Sequence, residues 1–410
     1  MPRIDGERVL RDLRELATFG TYKTGVHRPT FSDDDIAARH WFVGRLEQAG
    51  LEASIDGIGT VFGRSRASGP IMLTGSHLES QNHAGWLDGP LGVIYGLEAA
   101  RALAADPAMA GFGVDVAAWC DEEGHFGSFI GSRSFVGQIE EEEIDRLANK
   151  YEGTPLRKAL DRAGLSGRPR LQVESRRYRG YMEAHIEQGD TLESSGNQIG
   201  VVTAIVAIWQ YRITATGEQN HAGTTSMTRR RDAGLALVRL LGEIDRRFPE
   251  LAGPRTVWTT GRITLEPGAP SIIPGRGELL FQLRDADPAV LDRLDAELRR
   301  LVDEANRSGK CPMTIEVLGQ SRPASMDNGL QAALTLAGEQ SAPGKVISLP
   351  SGAGHDAQYL ARVMPAAMLF VPSIGGISHH WTENTSDEDI VLGAQVFADG
   401  VAAALQASRG

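Results

Sequence analysis

Apolar residues recur at helical spacing over residues 5–19 and 33–49, which predicts two helices near the start of the chain. Ser32 followed by Asp33, Asp34 and Asp35 suits the N-terminus of the second. The pattern then changes to short strand-like runs at Ile71–Thr74, Val114–Cys120, Tyr181–His185 and Ala366–Val371, which predict strands. Helical patterns such as Pro90–Ala104 lie between them, and the alternation predicts an α/β domain. Between about 208 and 323 the order is different. A strand (Trp209–Thr216), a helix (Arg230–Phe248), two strands (Thr256–Leu265 and Gly277–Leu283), a second helix (Pro288–Asn306) and a last strand (Met313–Leu318) follow one another. This βαββαβ series predicts a small two-layer α+β domain inserted into the first. The expected division is 1–207 and 324–410 for the α/β domain and 208–323 for the insertion.

Composition narrows the picture without changing it. A chain of 410 residues exceeds the size at which one core stops growing, so two domains are expected. Apolar residues make up 41% and charged residues 23%, ordinary for a globular protein, and no apolar run approaches a membrane span. A formal charge of −11 argues against nucleic acid, because such binding relies on clustered Lys and Arg. The beginning, MPRIDGERVLRDL, is charged from its third residue and lacks the apolar core of a secretory signal, so a cytoplasmic location is expected. Only Cys120 and Cys311 occur, which leaves His and carboxylate to hold any transition metal.

Four predicted strands lead directly into such groups. IMLTGSH ends at His77, VDVAAWCDEE at Glu123, YMEAHIEQG contains His185, and AAMLFVPSIGGISH ends at His379. Ligands of open α/β sheets bind beyond the carboxyl ends of the strands, so the four termini can converge on one crevice. Asp88, eleven residues after His77, adds a fifth group just before a predicted helix. One carboxylate can bridge two cations about 3.5–4 Å apart. His77, Asp88 and His185 would then hold one ion, and Asp88, Glu123 and His379 the other. Three protein ligands per ion leave room for water, as in catalytic sites. In the run Asp121-Glu122-Glu123 adjacent carboxylates repel unless cations or protons neutralise them; with Glu123 as a ligand, Glu122 is expected to be the general base. His27, His40, His83 and His125 lack comparable support, and a lone His is more often a hydrogen-bonding residue than a ligand.

The stretches GSHLES, WLDGPLGV, DEEGHFGSFIGSR, HIEQG, GVVTAI, NHAGTTSM, RRDA, LRDAD, SGAGHDAQ and GGISHH resemble, in order and spacing, those of the M20-type metal-dependent amidohydrolases. The branch most similar is that of the N-carbamoyl-L-amino acid hydrolases, allantoate amidohydrolase and β-ureidopropionase. The resemblance implies the same five ligands, His77, Asp88, Glu123, His185 and His379, for two divalent cations, zinc first, with manganese, cobalt or nickel as alternatives. It implies Glu122 as the catalytic Glu and a zinc-peptidase-like α/β domain interrupted by a lid that also forms a homodimer interface. It further implies that His221 stabilises an oxyanion from a neighbouring subunit, and that Gln188 and Asn220 contact substrate. Arg284 would clamp a substrate carboxylate with its planar fork.

The sequence departs from the family pattern in three places. Glu79 stands where the family usually has Asp, and is expected to orient a ligand His; Ser271 replaces a common Asn; Thr225-Ser226-Met227 replaces Thr-Pro-Met. None removes a ligand or the base. The expected reaction is therefore hydrolysis of the C–N bond of an N-carbamoyl or related N-acyl or ureido amino acid, a small substrate carrying a carboxylate. A dipeptidase or aminoacylase on the same scaffold is the alternative, although the histidine at 185 stands where peptidase relatives more often have a carboxylate. A non-catalytic assembly protein would have no use for five ligands and a base.

Overall fold

The structure, a computed structural model, describes residues 2–174 and 176–407. The chain divides into two compact units, Met1–Thr203 with Ser325–Gly410, and Ala204–Ala324. The first junction lies slightly before the position that the hydrophobic pattern suggests.

In the larger unit the predicted strands form the middle of a mixed sheet, with Ala366–Val371, Tyr178–Ile186, Ile71–His77 and Gly113–Trp119 side by side and parallel. Their largely apolar composition has a simple cause: both faces of a parallel sheet are covered, so neither set of alternating side chains meets water. Ile71–His77 and Gly113–Trp119 are buried at every residue. Antiparallel strands that the pattern does not reveal extend the sheet: Glu52–Ile55 and Val61–Arg64 at one side, Ile199–Ile205 at the other, with Val346–Ser351 paired to the last.

The helices Gly6–Leu16, Asp33–Gln48, Pro90–Ala105, Asn328–Ser341 and Asp387–Ala407 enclose this sheet. Ser32 caps the second, its Oγ accepting the Asp35 N–H at 3.2 Å. Asp387–Ala407 is apolar and long enough to cross a membrane by length and composition, but it packs as a core helix with Ile390, Val396, Phe397, Val401 and Leu405 buried.

The smaller unit has one four-stranded antiparallel sheet, in the order Val257–Glu266, Arg276–Asp285, Ala207–Thr216 and Met313–Gln320. Along Arg276–Asp285 every second residue is buried. Leu279, Phe281 and Leu283 thus meet Leu237, Leu240 and Ile244 of the helix Ala233–Arg247, and Leu291, Leu294 and Leu298 of the helix Pro288–Ser308. The first of these helices starts later than its apolar spacing suggests because Asp232 caps it, accepting the Leu235 N–H at 3.0 Å. A two-residue pairing of Asn220–His221 with Ile272–Ile273 is too short to leave a pattern.

Phe397 is fully buried, its ring centroid 6.2 Å from that of Tyr95. Replacing it with Ala is expected to lower the unfolding free energy of the larger unit by about 3–5 kcal/mol, read from the shift of its urea transition.

Candidate metal centre

The carboxyl ends of three adjacent parallel strands supply the first groups. His77 is the last residue of its strand and pairs across to Trp119, beyond which the chain turns at Asp121 (φ 58°) into the acidic loop. His185 sits near the end of the neighbouring strand, opposite Phe370. Asp121 organises its own loop: its buried carboxylate accepts the N–H groups of Phe126 and Gly127 and the Thr30 hydroxyl. Glu122 and Glu123 are thereby turned toward His77 and Asp88.

Asp88 is the centre of the cluster. Its Oδ1 lies 3.5 Å from His77 Nε2 and 3.1 Å from His185 Nε2, and its Oδ2 lies 3.3 Å from His379 Nε2. His379 Nε2 is also 3.8 Å from Glu123 Oε2. Two groups of potential ligands result, His77 with Asp88 and His185, and Asp88 with Glu123 and His379, and they share one carboxylate. Glu122 is outside both groups, its Oε2 3.8 Å from His77 Nε2.

The donor chemistry fits a divalent cation. His77 Nδ1 meets the Glu79 carbonyl at 2.9 Å, and His185 Nδ1 meets the Ile186 carbonyl at 2.9 Å. Carbonyls only accept, so both rings carry hydrogen at Nδ1 and, when neutral, present a lone pair at Nε2. Those lone pairs face Asp88 Oδ1, an arrangement that is repulsive unless positive charge lies between them. His185 Nε2 is buried and makes no hydrogen bond.

The electrostatics say the same. Burial, then the charge of Asp88, pushes Glu123 up to about 7. Burial also opposes the charge of Asp88, yet the three histidines hold it well below the usual carboxylate range. The Asp88 contact raises His379 to about 9. Acids and bases packed this closely shift one another's protonation in opposite directions.

Glycines let the loop close. Gly89 has φ 86°, and a Cβ there would lie 2.4 Å from the His77 ring; at Gly85 a Cβ would lie 1.9 Å from Glu383 Oε1. Glu383 is buried, and its carboxylate accepts the Asp88 N–H at 3.1 Å and the Ser378 hydroxyl at 3.1 Å. Neither spacing nor periodicity singles out Glu383. Gln81 was equally missed: its backbone N–H and side-chain amide reach the two Glu123 oxygens at 3.0 and 2.9 Å.

Gln188, expected to contact substrate, donates to Asp88 Oδ2 at 2.8 Å and lies 3.2 Å from Ser378 Oγ. Glu79 also departs from expectation. Its carbonyl, not its carboxylate, orients His77, because the side chain is engaged by Arg39 and the Glu122 N–H. In the smaller unit His221 is exposed, and its Nδ1 accepts the N–H groups of Gly223 at 3.0 Å and Thr224 at 3.2 Å. Its neutral ring therefore carries hydrogen at Nε2 and offers a donor. Asn220 uses its Oδ1 on the His221 N–H at 2.8 Å, and Arg284 is partly buried on the strand Arg276–Asp285.

A sheet with histidines and carboxylates gathered at its strand ends around one shared Asp defines a class, the α/β proteins able to hold paired cations. The chain belongs to peptidase family M20/M25/M40, whose model matches residues 72–403. A crystal structure of an amidase of the hydantoinase/carbamoylase family from Burkholderia phymatum is similar at a TM-score of 0.93 and 48% identity, covering 99% of each chain. The N-carbamoyl-L-amino acid amidohydrolase of Geobacillus stearothermophilus is 32% identical over 403 residues, 96% of this chain and 97% of that protein. The allantoate amidohydrolase of Bacillus subtilis is 32% identical over 404 residues, 94% of each.

A Gly89→Ala substitution is expected to displace His77 and to remove at least one equivalent of bound metal, measured by elemental analysis of the purified variant against the unsubstituted protein.

Proposed function

We propose that this protein is a binuclear metal-dependent hydrolase that cleaves the C–N bond of N-carbamoyl, or related N-acyl or ureido, amino acids. The single observation that carries the proposal is the sharing of Asp88 between two ligand groups, with Glu122 beside them and outside both. The activities named for the similar proteins point to the carbamoyl and ureido class rather than to peptides.

His77, Asp88 and His185 would hold one divalent cation and Asp88, Glu123 and His379 a second, zinc being the proposed metal for these nitrogen and oxygen donors. When bound, the pair would polarise the scissile carbonyl and acidify water. Glu122 takes a proton from the attacking water as the new C–O bond forms, then delivers it to the nitrogen of the breaking C–N bond. Burial, together with the charges of Glu123, Asp356 and Asp88, lifts Glu122 well above the usual carboxylate range against the opposing charge of His77.

Three residues follow the family resemblance. His221, with its Nε2 hydrogen fixed by two backbone donors at Nδ1, is proposed to donate to the developing oxyanion. Arg284 is proposed to hold the substrate carboxylate, and Asn220 to contact substrate. The smaller unit is proposed to carry a homodimer interface. Its outermost strand Val257–Glu266 supports this, being paired on one side only and exposing Val257, Ile263 and Leu265.

Glu122→Gln is expected to lower kcat by about 10²–10⁴-fold while metal content stays at that of the unsubstituted protein; near-normal turnover would remove Glu122 as the base. Chelation is expected to abolish turnover of the unsubstituted enzyme, with recovery on adding back zinc, manganese, cobalt or nickel. Ammonia release from carbamoyl amino acids is expected to exceed amine release from dipeptides, and the reverse order would favour a dipeptidase.

A further inference from the structure

After the strand Ile71–His77 the chain bends at Leu78 and runs on through Glu79-Ser80-Gln81, and the side chains of 77, 79 and 81 each contact a member of the cluster. His77 faces Asp88, and Gln81 holds Glu123. Between them the Glu79 carboxylate, wholly buried, accepts the backbone N–H of Glu122 on Oε1 at 2.7 Å and Arg39 Nη2 on Oε2 at 2.7 Å.

Arg39 is itself almost wholly buried and places one donor on each of three separate segments. Nε meets Asp35 Oδ2 at 2.9 Å, Nη1 meets the Gly59 carbonyl at 2.7 Å, and Nη2 meets Glu79. The Asp35 carboxylate is fixed in turn by the Phe31 N–H at 2.8 Å. A rigid guanidinium fork thus ties the helix Asp33–Gln48 and the turn at Gly59 to the carboxylate that holds the amide of Glu122.

We propose that Glu79 and Arg39 are positioning residues for Glu122, an inference that rests on the reading of Glu122 as general base. Asp121, just before it, is already in a left-handed conformation (φ 58°). The direction of the Glu122 amide therefore decides where its Cα–Cβ bond aims, and the Glu79 bond fixes that amide. Reach is what the proposal turns on: a carboxylate one methylene shorter on the same backbone is expected to lose one of the two contacts, to Arg39 or to the Glu122 N–H. Residue 79 thus serves both groups, its carboxylate the base and its carbonyl the ligand histidine.

The test compares Glu79→Asp, Glu79→Gln and Glu122→Gln as metal-loaded enzymes, with kcat expressed per bound metal pair so that unfolded protein does not count. Glu79→Asp keeps the charge and loses the reach. It is expected to lower kcat by about 10–100-fold, the scale of an ångström-sized misplacement, with KM within about twofold and metal content unchanged. Glu79→Gln keeps the length and one acceptor, and is expected to recover part of the loss. Wild-type kcat in Glu79→Asp, or a lower kcat in Glu79→Gln than in Glu79→Asp, overturns the positioning role while an inactive Glu122→Gln leaves the base intact. Near-normal turnover in Glu122→Gln overturns both.

Discussion

One carboxylate surrounded by three imidazoles organises the larger unit's chemistry. Asp88 is almost fully buried and has His77, His185 and His379 within 3.5 Å. Burying a charge is expensive unless it is paired and hydrogen-bonded. The surrounding chain meets that demand from several directions: Gln188 donates to Oδ2, the Ser378 hydroxyl is shared between Oδ2 and Glu383, and Glu383 accepts the backbone N–H. The glycines at 85 and 89 let the loop approach these partners, since a side chain at either would strike Glu383 or His77. The parallel sheet supplies the rigid part, because His77 and His185 stand at the ends of strands locked into register with their neighbours.

The acidic loop is held with similar economy. Asp121 folds it by accepting successive backbone N–H groups, Gln81 fixes Glu123, and Glu79 fixes the amide of Glu122. The roles of three adjacent carboxylates therefore diverge through environment alone. One is used up in backbone contacts, one joins a ligand group, and one is left facing the space beside His77.

The parts of this arrangement that were legible in the sequence are those with a local signature. Short strand-like runs marked the four parallel strands, and polar groups at or just after their ends marked His77, Glu123 and His185. Asp88 could be placed because a glycine, a proline and a helix follow it directly. The antiparallel strands Glu52–Ile55 and Val61–Arg64 escaped notice because they are short, and the first alternates between exposed and half-buried residues. Glu383, Arg39 and the true partner of Glu79 were illegible for another reason. Arg39 finds Glu79 across 40 residues and Glu383 finds Asp88 across 295, and such pairings leave no periodic trace. His379 lies well beyond its strand, so it could be read only together with the other groups.

The claim that all else depends on is that Asp88 bridges two cations. Anomalous scattering from crystals grown with zinc tests it directly. The account predicts two peaks about 3.5–4 Å apart, one bounded by His77, Asp88 and His185 and the other by Asp88, Glu123 and His379. A single peak away from Asp88, or none at all in fully metal-loaded crystals, would contradict it.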